Sequence, residues 1–208
     1  MGRRRVVSGL GLTGLGLLAS SVSANAFTSS AAPKVNVQTQ SRTAPAQQSQ
    51  RIDLSELPAD WARSQGSLLP DYARYLWGLK LVSISAAQVI EAHAKSKGAV
   101  WNTLPPKAWW TRMGYTLRVA DRVAREMNVR KVEIVSAYRN STYNAHCEGA
   151  RVGSWHQANV AVDVKFQVRA SQVTATARSL RDRGLFKGGV GGYSDFTHID
   201  TRGENTNW

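Results

Sequence analysis

The chain has 208 residues, 42% of them hydrophobic, enough for one domain of ordinary size plus an appendage and incompatible with a chain too polar to build a core. Its formal net charge is +13, from 27 basic and 14 acidic side chains, and its single cysteine, Cys147, cannot close an intramolecular disulfide. A surplus of this size favours a polyanionic partner. The basic residues are scattered and no recognised binding motif accompanies them, so nucleic acid is not the expected one.

Residues 1–26 read as a secretory signal peptide. Arginines occupy positions 3 to 5, an apolar, glycine-rich run follows to about residue 20, and Ala24-Asn25-Ala26 places small residues where a signal peptidase cuts. Phe27 would then be the new terminus. The Arg-Arg start followed by Val6-Val7 loosely resembles a twin-arginine signal. A retained membrane anchor is the rival, although the run falls short of the ~20 apolar residues that a spanning helix needs. Removing this segment takes three arginines and no acid, leaving 24 basic against 14 acidic side chains, or +10. An exported, periplasmic or cell-wall-associated protein of that charge would meet anionic polymers of the cell envelope.

Residues 27–50 contain no acid and are rich in Ser, Thr, Ala, Gln and Pro, the composition of a disordered tether. Residues 51–70 read as a linker or short helices packing on the domain, and 71–208 as the domain itself. Ser85 should cap a helix ending at Gly98. Pro105-Pro106 precede a long helix to about Met127, whose Met113, Leu117, Ala120, Ala124 and Met127 form a core stripe. Trp109-Trp110 should sit half in the core and half at the surface. Lys131 to Ser136 reads as a buried-type strand, and Ser171 as the cap of a helix running to Gly184. The expected fold class is α+β, with helices packed on a small, mainly antiparallel sheet that carries a metal cleft on one face.

The chemistry is concentrated in the last third. His156 is followed after six residues by Asp163, and later by Asp195-Phe196-Thr197-His198. Two imidazoles and one carboxylate can hold a divalent ion and leave a coordination position open, which distinguishes a catalytic zinc from a structural one. The same set also forms the facial triad of non-haem iron oxygenases. The run Val160 to Phe166 alternates as a strand, with its valines and Phe166 on one side and Asp163 on the other. Phe196 to Arg202 alternates too, setting His198 and Asp200 on one face. Two strands would then present Asp163 and His198 to a shared cleft, with His156 arriving from the preceding loop. Cys147 beside His146 is a poor candidate for a thiol–imidazole pair, because sequence neighbours rarely face each other. His146 and His93 read as solvated histidines or as supports behind the site. Gly188, Gly189, Gly191 and Gly192 lack the following helix of a phosphate loop and instead suit close backbone approach beside the cleft.

Ser136-Ala137-Tyr138-Arg139, Tyr143-Asn144, Gly149-Ala150, Ser154-x-His156, Ala161-x-Asp163, Gly189-Val190-Gly191-x-Tyr193 and Phe196-Thr-His198-Ile-Asp200 occur in one order over about seventy residues. Together they resemble the M15 family of zinc D-Ala-D-Ala peptidases, enzymes that trim or cut the peptide stems of bacterial peptidoglycan. The resemblance implies zinc on His156, Asp163 and His198, Asp195 as catalytic base, Arg139 on the substrate with Ser154 and Tyr138 nearby, and a fold shared with the amino-terminal signalling domain of hedgehog proteins. Asp200 would orient His198 or pair with Arg202. For Arg139 the plainer reading is an ion pair with Glu133 or Glu148, and for Asp195 a surface turn. The family's usual glycine three residues after the first histidine is Asn159 here, a residue that tolerates a left-handed backbone. Removal of a terminal D-alanine and cleavage of a cross-link are equally compatible with these residues. A peptidoglycan-binding protein of the same fold without catalysis is the main alternative.

Overall fold

The computed structural model describes residues 53–208; the expected signal and tether lie outside them. All described residues fall in one compact unit. Two short helices, α1 (Ala59–Gln65) and α2 (Leu68–Gly78), open it and bury Trp61, Tyr72 and Leu76. Helix α3 (Ala86–His93) starts at the expected Ser85, where Ser85 Oγ accepts from the Gln88 amide and Gln88 Oε1 from the Ser85 amide. That reciprocal pair satisfies two amides at the start of the helix.

The helix does not reach Gly98. It ends at His93, and Ser96–Lys97 (β1) pairs antiparallel with Val100–Trp101 (β2), with Gly98 in the turn at φ +59°. Gly98 serves a hairpin, where a positive φ is needed, and the same residue type reads in sequence like a helix stop.

Helix α4 (Trp110–Glu126) follows a single 3₁₀ turn at Lys107–Trp109, and its stripe of Met113, Leu117, Ala120 and Ala124 is fully buried. Trp110 is buried and Trp109 half-buried, as their spacing suggested. After β3 (Val132–Ser136), the short α5 (Ser141–Ala145) and β4 (Ala161–Phe166), helix α6 (Ala170–Asp182) crosses to β5 (Gly189–Gly192), β6 (Thr197–Asp200) and β7 (Thr206–Asn207). Helix α6 begins with Arg169 at the cap position and no side-chain cap bond, so Ser171 lies inside its first turn.

The sheet order is β3-β4-β6-β5-β7, antiparallel except for the β5–β7 pair. Strand β3 is therefore an edge, not a strand buried on both sides: Val132 and Ile134 point inward and Glu133 outward. Its outer edge is nonetheless occupied, because the Val132 amide donates to Ser83 O (3.1 Å) and Lys95 Nζ to Val135 O (2.7 Å).

One sheet face carries Val162, Val164, Val190 and Ile199, all fully buried under α4 and α6. Pleating sends alternate residues to the other face. There Asp163 pairs in register with His198, and His198 with Gly191, so three strands bring the site residues into one row. The α+β reading of the sequence holds, with the small, mainly antiparallel sheet built from five strands.

His93 is a fully buried core residue and not a solvated one. Its Nε2 lies 3.3 Å from the Tyr72 hydroxyl and its Nδ1 3.4 Å from Tyr138 O. Burial lowers its pKa to about 4, against a weaker opposing effect of the Tyr138 carbonyl. The unfolded chain therefore takes up this proton first as pH falls, and the stability is complete above about pH 6.5 and lost on descent toward pH 4. Between pH 7 and 5 the loss from this one group should be about 2 kcal/mol. Chemical denaturation of metal-free protein at the two pH values should show a smaller difference in His93→Gln than in the wild type.

Candidate metal centre

The loop before β4 is wound by consecutive turns in which the amides of Gln157, Ala158 and Asn159 donate to the carbonyls of Ser154, Trp155 and His156. The winding ends at Asn159, where φ is +60°. The asparagine takes the left-handed conformation that a glycine would supply more easily, and its Nδ2 donates to Trp109 O at 2.8 Å, tying the loop to the start of α4. This turn directs His156 inward from outside the sheet.

His156, Asp163 and His198 are all buried, and one nitrogen or oxygen of each converges on a common point. His156 Nε2 is 3.3 Å from His198 Nδ1 and 3.3 Å from Asp163 Oδ1, and the third edge, Asp163 Oδ1 to His198 Nδ1, is 2.9 Å. A tetrahedral ion with bonds of about 2.0 Å requires ligand separations of about 3.3 Å, so the triangle has the right size. The remaining atoms decide the tautomers. His156 Nδ1 faces Ala137 O at 2.6 Å and must donate to it, while His198 Nε2 donates to Asp200 Oδ2 at 3.0 Å. The lone pairs of His156 Nε2 and His198 Nδ1 are left facing the carboxylate, a donor set that fits a divalent cation.

The electrostatics agree. Burial alone would raise Asp163, but His156 and His198 hold it far below the usual carboxylate range. Burial lowers His156. It acts on His198 in the same sense, but hydrogen bonds to Asp163 and Asp200 outweigh it and raise that histidine. Without a cation, a proton on His198 Nδ1 is what can bridge the 2.9 Å contact.

Arg139 pairs with neither Glu133 nor Glu148. Its Nη2 donates to Asp163 Oδ2 (2.8 Å) and its Nε to Ser136 Oγ (2.8 Å), so it holds the outer oxygen of the carboxylate whose inner oxygen faces the histidines. Asp200 does both things expected of it, bonding His198 and pairing with Arg202. Ser154 is half-buried at the start of the His156 turn. Tyr138 is almost wholly buried, its ring edge-on to His93 and Trp109, which makes it a packing residue behind the site. Asp195 lies in the exposed turn between β5 and β6, and its side chain is bonded to Ser194 Oγ at 3.3 Å. Cys147 donates to Tyr143 O and His146 bonds Thr142 O on the same short helix, so the two form no pair.

A family model described as Peptidase M15 matches residues 84–200, more than half of the chain, and the match contains the whole cluster. The chain belongs to the M15 peptidase family. No curated protein and no solved structure matches it.

One residue of this M15 site has no signal in the sequence. Asn102 is buried and donates from Nδ2 to Tyr138 O (2.8 Å), while its Oδ1 accepts from the Asn140 amide (2.9 Å). It thus grips the backbone on both sides of Arg139 from 37 positions away, and its own carbonyl accepts from Trp61 Nε1. Nothing in Trp101-Asn102-Thr103 marks such a clamp.

Purified protein should bind close to one zinc per chain, measured by elemental analysis, and His156→Ala should lose it. Because a cation displaces the proton held by His198, zinc affinity should strengthen as pH rises through the range in which that histidine deprotonates.

Proposed function

We propose that this M15 family member is a zinc metallopeptidase that hydrolyses D-amino-acid peptide bonds in the stems of bacterial peptidoglycan, after export to the periplasm or cell wall. The observation that carries this reading is the convergence of two imidazole lone pairs and one carboxylate oxygen, with each ligand's outer atom already bonded. A zinc ion held by His156, Asp163 and His198 would lower the pKa of a water molecule and polarise the scissile carbonyl.

The chain's own residues supply the rest. Asp195, three positions before His198 and exposed in its turn, accepts the proton of the attacking water and passes it to the departing amine. Arg139 spends Nε and Nη2 on Ser136 and Asp163, and Nη1, which has no hydrogen-bond partner among the described residues, offers donors to a substrate carboxylate. Ser154, at the mouth of the His156 turn, hydrogen-bonds the substrate. The basic surface holds the enzyme against acidic envelope polymers.

The exposed position of Asp195 favours one second reading, a peptidoglycan-binding protein without catalysis. Digestion of purified muropeptides, with products identified by mass, separates the two and also distinguishes loss of a terminal D-alanine from opening of a cross-link. In that assay Asp195→Asn should retain zinc and lose about 10² to 10⁴-fold in turnover. Arg139→Lys loses the planar fork, so it should both raise KM and weaken zinc binding through Asp163. A rate within a few-fold of wild type for zinc-loaded Asp195→Asn would remove that residue from the mechanism.

A further inference from the structure

Behind His198 lies a second layer of contacts that the reaction as described does not use. Asp200 is fully buried, and every bond it makes is accepted: Oδ1 takes the Gly189 amide (3.0 Å), the Arg202 amide (3.2 Å) and Arg202 Nε (2.7 Å), and Oδ2 takes Arg202 Nη2 and His198 Nε2 (3.0 Å). The planar guanidinium grips both oxygens at once, which leaves the carboxylate a single rotation about its own axis. Only that rotation presents Oδ2 to the imidazole.

The guanidinium is itself held. Its carbon lies 4.9 Å from the ring centroid of Trp155 and 5.2 Å from that of Trp208, both within cation–π range. Trp155 immediately precedes the ligand His156, and the Trp208 ring lies 5.1 Å from the ring of the ligand His198. Arg202 therefore joins the loop bearing one ligand to the strand bearing another. The neighbouring strand is shaped around this assembly. A Cβ on Gly189 would come within 2.5 Å of Asp200 Oδ2 and 2.7 Å of Arg202 Nη2, and one on Gly191 within 2.5 Å of the Trp208 ring.

We propose that Arg202, clamped between Trp155 and Trp208, is a positioning residue of the metal centre: by gripping both oxygens of Asp200 it fixes the orientation of the His198 ring and the nitrogen that the ring presents to the ion. This rests on the reading of His156, Asp163 and His198 as that centre.

The test uses the whole exported chain with Arg202→Met, which keeps an apolar stem and removes the fork, and Trp155→Leu, which alters a ring that is 39% exposed and so spares the core. Two quantities are measured. One is zinc affinity by competition with a chelator, and the other is the ¹⁵N NMR signature of the His198 tautomer in metal-free protein, at a pH where the imidazole is neutral. Arg202→Met should bind zinc roughly 10- to 100-fold more weakly and show mixed tautomers in place of Nε2–H alone. Trp155→Leu should shift both readouts in the same direction by less, and it decides the matter if Arg202→Met does not fold. Zinc affinity within about twofold of wild type in the folded variants, with the tautomer unchanged, would reduce Arg202 to an ordinary ion pair and overturn the proposal. The tautomer is read without metal, so a wild-type protein that binds no zinc would overturn the metallopeptidase reading, while the tautomer comparison would still judge Arg202.

Discussion

Two imidazole lone pairs and an anionic oxygen are buried facing one another, an arrangement that repels itself unless a cation or a proton lies between them. Burying such groups is costly, and the cost is met only if every other polar atom on them is bonded. Here each of the three residues has one outer partner of a different kind: a backbone carbonyl for His156, a carboxylate for His198 and a guanidinium for Asp163. Much of the remaining architecture serves those three bonds. The bulge between Ile134 and Ser136 sets Ser136 opposite Asp163, within reach of Arg139, and the left-handed Asn159 closes the turn that delivers His156.

What the sequence revealed were features with a period. Val162 and Val164 against Asp163, and Ile199 against His198 and Asp200, alternate cleanly because a pleated strand with a core on one side leaves no other choice. The stripe of α4 is legible for the same reason at helical spacing. Motif order then tied His156 to the two strands. Boundaries were harder to read. Gly98 and Ser171 look like a stop and a cap, yet the chain uses one in a hairpin turn and places the other inside a first turn, because the same residue types serve several local conformations. Asn102 and Arg202 were out of reach altogether, or visible only as a possible salt bridge, since their partners lie far away in sequence or include rings whose faces no spacing rule describes.

Asp195 and Arg139 differ in how firmly the fold commits them. Arg139 is bonded at two of its nitrogens and its backbone is gripped by Asn102 on both sides, so it is held in one place, and in the proposed role that order would lower the cost of binding. Asp195 sits in a turn whose Tyr193 and Phe196 rings stack on each other at 4.3 Å. That stacking stiffens the turn and leaves the carboxylate itself facing solvent.

The covered edge of β3 has a consequence for how a peptide could be held. Many proteins that bind extended peptides do so by letting the ligand join a sheet as one more strand, in which main-chain hydrogen bonds supply affinity whatever the side chains. On the β3 side that route is narrowed, because the Ser83 carbonyl and the Lys95 amine already take the Val132 amide and the Val135 carbonyl. The same cover protects an otherwise open edge from pairing with another copy of the chain. A peptide approaching from this side would gain less from main-chain pairing, and its recognition would rest more on its own functional groups.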